Sequence, residues 1–145
     1  MLTIEGVTKA YASAEGPVAV LNGVSLALAA GESLALTGES GKSTLLHLAG
    51  ALDRPDGGTV SVGGVDLAGL DDAGLAMVRR DRIGIIFQQF NLIPSLSVAA
   101  NIGFQARLAG RFDAGWTAHM AGVLGLTALL GRYPDELSGG QQQRV

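Results

Sequence analysis

Apolar and polar residues alternate along the first part of the chain in the pattern of short β-strands. Leu2 to Tyr11 alternates loosely, and Ala12 to Pro17 is a loop of small residues. Val18 to Leu21 and Val24 to Leu28 predict two further strands, separated by Asn22-Gly23, a dipeptide that favours hairpin turns. The first part of the chain therefore predicts an antiparallel β region.

A second stretch combines a short strand, a glycine loop and a helix. Leu34 and Leu36 alternate with polar or small residues and predict a buried strand, and Lys42-Ser43-Thr44 opens a helix that runs through Leu48. This arrangement holds phosphate groups, because backbone N–H groups and the helix N-terminus face the anion. The lysine adds a positive charge and the serine hydroxyl meets Mg²⁺.

The glycine loop between this strand and helix is shorter than the phosphate-binding motif requires. That motif has four residues between its glycines, whereas only Glu39 and Ser40 separate Gly38 from Gly41. On these residues alone, an ordinary strand-to-helix turn is an equally good interpretation.

The middle of the chain predicts a second β pair, a helix and another strand. Thr59 to Val62 and Val65 to Leu67 flank Gly63-Gly64, which indicates an antiparallel pair. Asp71 to Arg80 predicts a helix with an acidic start and a basic end, as the helix dipole favours. Ile83 to Phe87 is a continuous apolar run, typical of a strand that is buried on both faces.

After Gln88 the pattern changes from strands to helices. Ser97 can cap a helix from Val98 to about Ala109, and Trp116 to Leu124 and Thr127 to Leu130 predict two more. Leu137-Ser138-Gly139-Gly140-Gln141 then places a serine cap and two glycines at the start of a final helix.

Composition narrows the function classes. The 145 residues carry a net charge of −3 without a block of like charges, which argues against nucleic acid as a partner. The absence of cysteine excludes disulfides and thiolate metal sites. No apolar run approaches the length of a membrane span, and the first residues do not form a secretion signal. We expect a soluble, cytoplasmic chain that reaches a membrane only through another protein.

The motifs, taken in their order, resemble the nucleotide-binding subunit of ATP-binding cassette (ABC) transporters over essentially the whole chain. Leu137 to Gln141 matches the signature motif of that family, which is far more specific than a glycine loop. The resemblance implies an α/β fold: a P-loop NTPase three-layer core, an antiparallel β subdomain and a helical subdomain, with the C-terminal part missing. Residues 1–91 would form the core with the β subdomain, and residues 92–145 the helical subdomain that ends in the signature motif.

The resemblance also implies a role for individual residues. Lys42 would contact the β- and γ-phosphates, Ser43 would coordinate Mg²⁺, and Gln88 would act as the catalytic glutamine that touches Mg²⁺ and the attacking water. Gln89 is the alternative to Gln88. The residues expected to bind ATP are Tyr11, which would stack on adenine, Gly38, Glu39, Ser40, Gly41, Lys42, Ser43, Thr44, Ser138, Gly139, Gly140 and Gln141, and those expected to bind Mg²⁺ are Ser43 and Gln88.

The same resemblance implies partners. Two subunits of this family pack head to tail, so Ser138, Gly139 and Gly140 of one subunit would clamp the γ-phosphate held by the other. Gln88 to Pro94 and the following helix would receive the coupling helix of a permease, at the cytoplasmic face of the inner membrane. The stretches Asp53–Gly58, Phe87–Pro94 and Leu137–Val145 are most similar to the branch for lipoprotein release, macrolide export and antimicrobial-peptide efflux, with the cell-division ATPase close by.

Two departures from the family set the expectations for activity. The family sequence is Gly-Glu-Ser-Gly-Ser-Gly-Lys-Ser-Thr, so the chain lacks one Ser-Gly pair in its P-loop, or Walker A motif, and we expect weak or absent ATP binding. The family also continues past the signature to an apolar strand ending in Asp-Glu and to a switch histidine, so we expect a fragment with impaired ATP hydrolysis. The alternatives are a non-catalytic or regulatory remnant, a non-transport ABC ATPase, and a small P-loop kinase or GTPase.

Overall fold

The computed structural model describes residues 1–145, which form two compact units, residues 1–84 and residues 85–145. The first unit contains a four-stranded antiparallel sheet in the order β2-β1-β3-β4 and two helices. These elements are β1 (Leu2–Ser13), β2 (Gly16–Leu28), α1 (Lys42–Ala49), β3 (Gly57–Val62), β4 (Val65–Asp66) and α2 (Asp72–Arg82).

The hairpin predicted at Asn22-Gly23 is wrong, because both flanking segments belong to the single strand β2. The two halves of β2 pair with β1, Val24 opposite Val7 and Leu21 opposite Lys9, with a register irregularity between these pairs. The chain reverses instead between Ser13 and Gly16, within the predicted small-residue loop, where the Ser13 hydroxyl donates to the Gly16 carbonyl at 2.7 Å. An Asn-Gly pair fits an irregular strand as well as a turn, and the long partner strand decides between them.

The core of the first unit lies between the sheet and its helices. Ile4 and Val7 on β1, Val60 on β3 and Leu48 on α1 are at most 1% exposed, and Leu75 and Val78 of α2 complete the cluster. Helix α1 packs against β1, β2 and β3. The start of α1 is the part of this unit that carries the predicted site, and the core fixes its position.

Two strand predictions are wrong. Neither Leu34–Leu36 nor Ile83–Phe87 forms a strand, and Ile86 is completely exposed. An apolar segment becomes a buried strand only where other strands pair with it on both sides, and the sheet provides no such neighbour for either segment. The antiparallel β region and the helices are confirmed.

The second unit is helical. It contains α3 (Val98–Leu108), α4 (Ala114–Val123), the short α5 (Gly139–Gln142) and two 3₁₀ turns, Thr127–Leu129 and Pro134–Glu136. Val98, Ala121, Leu126 and Leu137 form its core. No helix of the chain has the length and apolar character needed to cross a bilayer.

Side-chain caps mark the starts of α2 and α3. The hydroxyl of Ser97 accepts from the N–H of Ala100 at 3.3 Å, which confirms the predicted cap of α3. Asp71 caps α2 in the same way, accepting from Gly74 at 2.8 Å. Because these signals are local, the predicted helix bounds differ from those observed by only one or two residues.

Candidate functional site

The glycine loop runs from a mostly exposed segment without regular secondary structure directly into α1. Gly41 is the residue before the helix and has φ +84°, a conformation that favours glycine. A Cβ at this position would also lie 3.2 Å from the Val20 carbonyl and from a Leu21 methyl group. Gly41 is therefore required both by its backbone angle and by its close approach to β2.

The side chain of Lys42 folds back over the loop. Its ammonium group donates to the carbonyl of Gly38 and, at 3.5 Å, to that of Glu39. Ser43 is exposed at the first turn of the helix. The lysine charge is thus directed at backbone carbonyls of the loop.

These observations test whether the loop fits a nucleotide phosphate. A phosphate cradle needs several backbone N–H groups at fixed positions and a lysine free to meet the anion. Here only Glu39 and Ser40 separate the two glycines, and Lys42 is bound to the loop itself. As it stands, the loop does not fit a β-phosphate.

Tyr11 lies near the end of β1 within a polar cluster that joins this strand to the turn before β3. Its hydroxyl donates to Asp53 Oδ2 at 2.9 Å, and Lys9 Nζ donates to Asp53 Oδ1 at 2.9 Å and to the Arg54 carbonyl at 2.6 Å. Asp56 accepts from the N–H of Ala10 at 2.7 Å. Tyr11 is 41% exposed, so part of its side chain is accessible to a ligand while the hydroxyl is held by Asp53.

The ion pair between Lys9 and Asp53 shifts the pKa of both side chains. Burial by itself raises the pKa of the Asp53 carboxyl, but hydrogen bonds from Lys9, the Arg54 N–H and Tyr11, with the Lys9 charge, outweigh burial and hold the pKa below its usual value. Burial likewise lowers the pKa of Lys9, and the carboxylates of Asp53 and Asp56 outweigh it, so the pKa is raised. The pair therefore stays charged at neutral pH.

Replacing Asp53 by alanine is expected to destabilise the first unit by about 1 to 2 kcal/mol at neutral pH, because Lys9 and Tyr11 lose their shared acceptor. The folded-state pKa of Asp53 is depressed, so its contribution is present above the unfolded pKa and is lost as the pH falls below about 4. The free energy of unfolding of the wild type and of Asp53→Ala, measured with urea at a series of pH values, tests this.

Asp72→Ala is the matched control, since Asp72 pairs with Arg54 at 3.0 Å but its side chain is 99% exposed. An exposed pair contributes about 0 to 1 kcal/mol, so this variant should stay near the wild type. Equal destabilisation by both substitutions, or an Asp53→Ala effect that persists in acid, would contradict the role of the cluster.

Gln88 and Gln89 lie in an exposed bend that follows the extended segment at Ile83–Phe87. Asn91 has φ +47°, so the chain turns sharply before it reaches the loop that leads into α3. Nothing in the geometry of this bend separates Gln88 from Gln89, and the catalytic role of Gln88 stays a prediction.

The signature residues form a capped helix start with an open surface. Ser138 Oγ accepts from the Gln141 N–H at 3.3 Å, and Gln141 Oε1 accepts from the Ser138 N–H at 2.8 Å, a reciprocal capping box. Leu137 is buried in the core of the unit, whereas Ser138, Gly139 and Gly140 are exposed.

The two signature glycines are not required by their own fold. Neither has a positive φ, and a Cβ would meet nothing within 4 Å at Gly140 and only Phe90 Cζ, at 4.0 Å, at Gly139. Because the fold does not require glycine at these two positions, the absence of side chains there leaves room for a group outside the chain. The site residues thus lie in both units, with the glycine loop and Tyr11 in the first and Gln88 and Ser138–Gln141 in the second.

No group of three or more His, Asp or Glu side chains is arranged to hold a metal ion. The Ser43 hydroxyl and the Gln88 amide, predicted to bind Mg²⁺, are both exposed.

Sequence reasoning missed two polar residues that organise the site's surroundings. Asp53 lies 42 positions from Tyr11, so no local pattern connects the two residues. The available signal was that Lys9 and Tyr11, two positions apart on one face of a strand, could share an acidic partner. Asn101, in the first turn of α3, binds the loop after Gln88. A polar residue among the apolar residues of that turn was the available signal.

Family comparison places the chain in a known class. The ABC transporter family model matches residues 21–145, so the chain belongs to the ABC transporter family. It is 45% identical to the lipoprotein-releasing system ATP-binding protein LolD of Geobacter metallireducens over all of this chain and 67% of that protein. It is 47% identical to the methionine import ATP-binding protein MetN of Caulobacter vibrioides, again over all of this chain but 44% of the relative.

A third relative and a solved structure give the same family. The macrolide export ATP-binding/permease protein MacB of Rhodospirillum rubrum is 45% identical over 94% of this chain and 22% of its own length. The ATP-binding cassette MJ0796, solved as a dimer bound to ADP and Pi, matches with TM-score 0.88 and 36% identity over 99% of this chain and 66% of that chain. The chain thus spans about two thirds of LolD and MJ0796 and less than half of the other two.

Proposed function

We propose that this chain is the ATP-binding part of an ABC transporter that exports lipoprotein, macrolide or peptide through a membrane permease. The observation that carries the proposal is the signature segment, whose serine is held in a capping box while two glycines leave an open surface. In this family such a surface meets the triphosphate bound by a second copy. The dimeric structure of MJ0796 with ADP and Pi supports that arrangement.

The proposal assigns the roles that the family implies. Tyr11 would bind the adenine of ATP with the exposed part of its ring, and Ser43 and Gln88 would bind Mg²⁺. Lys42 would bind the phosphates once the glycine loop has the length found in the family. Gln88 would also orient the attacking water. The chain would work at the cytoplasmic face of the membrane and contact it through the permease.

The three-layer α/β core also belongs to the proposal. Leu34–Leu36 and Ile83–Phe87 would become strands of that core only if other strands paired with them, and the four-stranded sheet leaves both segments unpaired. Residues 1–91 would then carry the core and the β subdomain, with residues 92–145 as the helical subdomain.

A second candidate, a non-catalytic or regulatory remnant that occupies a permease, is favoured by one specific observation. The glycine loop is short and Lys42 is bound to its carbonyls. A subunit of this kind would bind its partner without turning over ATP.

Retention by membrane subunits tests the transporter and its direction of transport. The membrane subunits of the lipoprotein-releasing system of Geobacter metallireducens and of the methionine importer of Caulobacter vibrioides serve as two immobilised probes, with LolD and MetN as positive controls. We expect retention by the first probe only. Retention by the second alone would favour an importer, and retention by neither would contradict a role in lipoprotein release.

A further inference from the structure

Asn101 lies in the first turn of α3 and is partly buried, and its side-chain amide binds the loop before the helix. Oδ1 accepts from the Ile93 N–H at 2.8 Å, while Nδ2 is 3.1 Å from the Ile93 carbonyl, 2.9 Å from that of Leu96 and 3.2 Å from that of Ser97. The side chain thus binds both polar groups of Ile93, as a neighbouring strand would.

The loop that Asn101 binds has little other support. Residues 91–97 form neither helix nor strand, and the hydrogen bond from the Leu96 N–H to the Ile93 carbonyl, 3.1 Å, is local. Pro94 has no N–H to donate. The conformation of this loop therefore depends largely on the four contacts that Asn101 makes.

The same helix turn is tied to a second segment. The N–H groups of Val98 and Ala99, which have no acceptor within the helix, donate to the carbonyls of Arg132 at 2.8 Å and Leu130 at 3.0 Å. Val98 is fully buried in the core of the unit. One turn of α3 thus holds the Ile93–Ser97 loop on one side and residues 130–132 on the other.

We propose that Asn101 is a positioning residue that joins the Ile93–Ser97 loop and the first turn of α3 into one cooperative unit. A partner that displaces the loop breaks the Asn101 contacts, frays the start of α3 and frees the Leu130 and Arg132 carbonyls. The coupling follows from the contacts within this chain. That the displacing partner is the permease rests on the proposed function.

Asparagine is the side chain that fits this task. It presents an acceptor to the Ile93 N–H, and from the same planar group two N–H donors that the carbonyls of Ile93, Leu96 and Ser97 share. Aspartate has the same shape but lacks the donors and would direct negative charge at those carbonyls. Leucine has a similarly branched side chain and would leave the Ile93 N–H without its acceptor.

Amide hydrogen exchange of the 145-residue chain, measured residue by residue without nucleotide or permease, tests the coupling. In Asn101→Ala we expect the amides of Ile93, Val98 and Ala99 to exchange together, roughly tenfold to a hundredfold faster. Gln105→Ala removes an exposed amide side chain one turn later in α3 and should leave all three unchanged. The amide of Ala121, a buried residue of α4 in the same unit, reports any general loss of structure there.

Pro94→Gly is the second variant, because it loosens the loop without altering the helix. If the loop and the first turn of α3 form one cooperative unit, the amides of Val98 and Ala99 should exchange faster in this variant, together with that of Ile93. The proposal is overturned if Ile93 alone accelerates in either variant, or if Asn101→Ala leaves all three amides unchanged. Neither result depends on whether the chain binds ATP or a permease.

Discussion

Inserting Ser-Gly after Gly41 is expected to tighten the binding of Mg-ATP by about a hundredfold, or about 2.8 kcal/mol. The insertion restores four residues between the first glycine and the glycine before the lysine, which is the spacing that places the loop amides around a β-phosphate. It also moves the Gly38 and Glu39 carbonyls away from the Lys42 ammonium group, which is bound to them now. Isothermal titration of both chains with Mg-ATP measures the change.

Two controls isolate the effect of loop length. Ser-Gly inserted after Ala14, in the exposed turn between β1 and β2, adds the same residues outside the loop and should not change the affinity. Lys42→Ala in the restored chain should remove most of the gain, because the phosphate then loses its positive partner. Equal ATP binding with and without the insertion at Gly41 would show that the length of the loop does not limit binding.

Leu48→Ala is expected to destabilise the first unit by about 2 to 5 kcal/mol, the range for truncating a fully buried leucine. Leu48 is 0% exposed and lies in the cluster with Ile4, Val7 and Val60. Far-UV circular dichroism during urea unfolding should show an earlier loss of the β signal. Leu46→Ala on the same helix, at a side chain that is 59% exposed, should stay within about 0.5 kcal/mol of the wild type.

The single tryptophan allows the second unit to be followed separately. Trp116 lies in α4 with its ring centroid 5.6 Å from that of His119, so its fluorescence reports on the second unit. The transition seen by Trp116 should not move in Leu48→Ala and should move in Leu126→Ala, since Leu126 is fully buried in the second core. A Trp116 transition that shifts with Leu48→Ala would show that the two cores unfold together.

The sequence predicted those features whose signal is local. Ser97 and Ser138 were recognised as helix caps, and both accept the expected backbone N–H, because a cap depends only on residues within one turn. The Gly63-Gly64 turn between β3 and β4 was found for the same reason.

Features that depend on distant neighbours were not predictable. Ile83–Phe87 has the composition of a buried strand, but pairing partners and not composition decide whether it becomes one. Asn22-Gly23 is a dipeptide that favours turns, yet the residues on both sides of it pair with β1, so β2 is one continuous strand.

In the candidate site, too, the local motifs were predictable and the contacts between distant residues were not. The motifs identified the glycine loop, Lys42 and the signature residues by type and spacing. They did not show that Lys42 binds its own loop or that the Tyr11 hydroxyl is held by Asp53, because both contacts arise only in the folded chain.

The contact between Lys42 and the loop carbonyls has a consequence for every anion that approaches α1. An anion can recruit the ammonium group only from the conformations in which the lysine has left Gly38 and Glu39. The apparent dissociation constant is then the intrinsic one divided by the fraction of molecules in that open state. If one molecule in ten is open, for example, binding weakens about tenfold, although no group that touches the anion has changed.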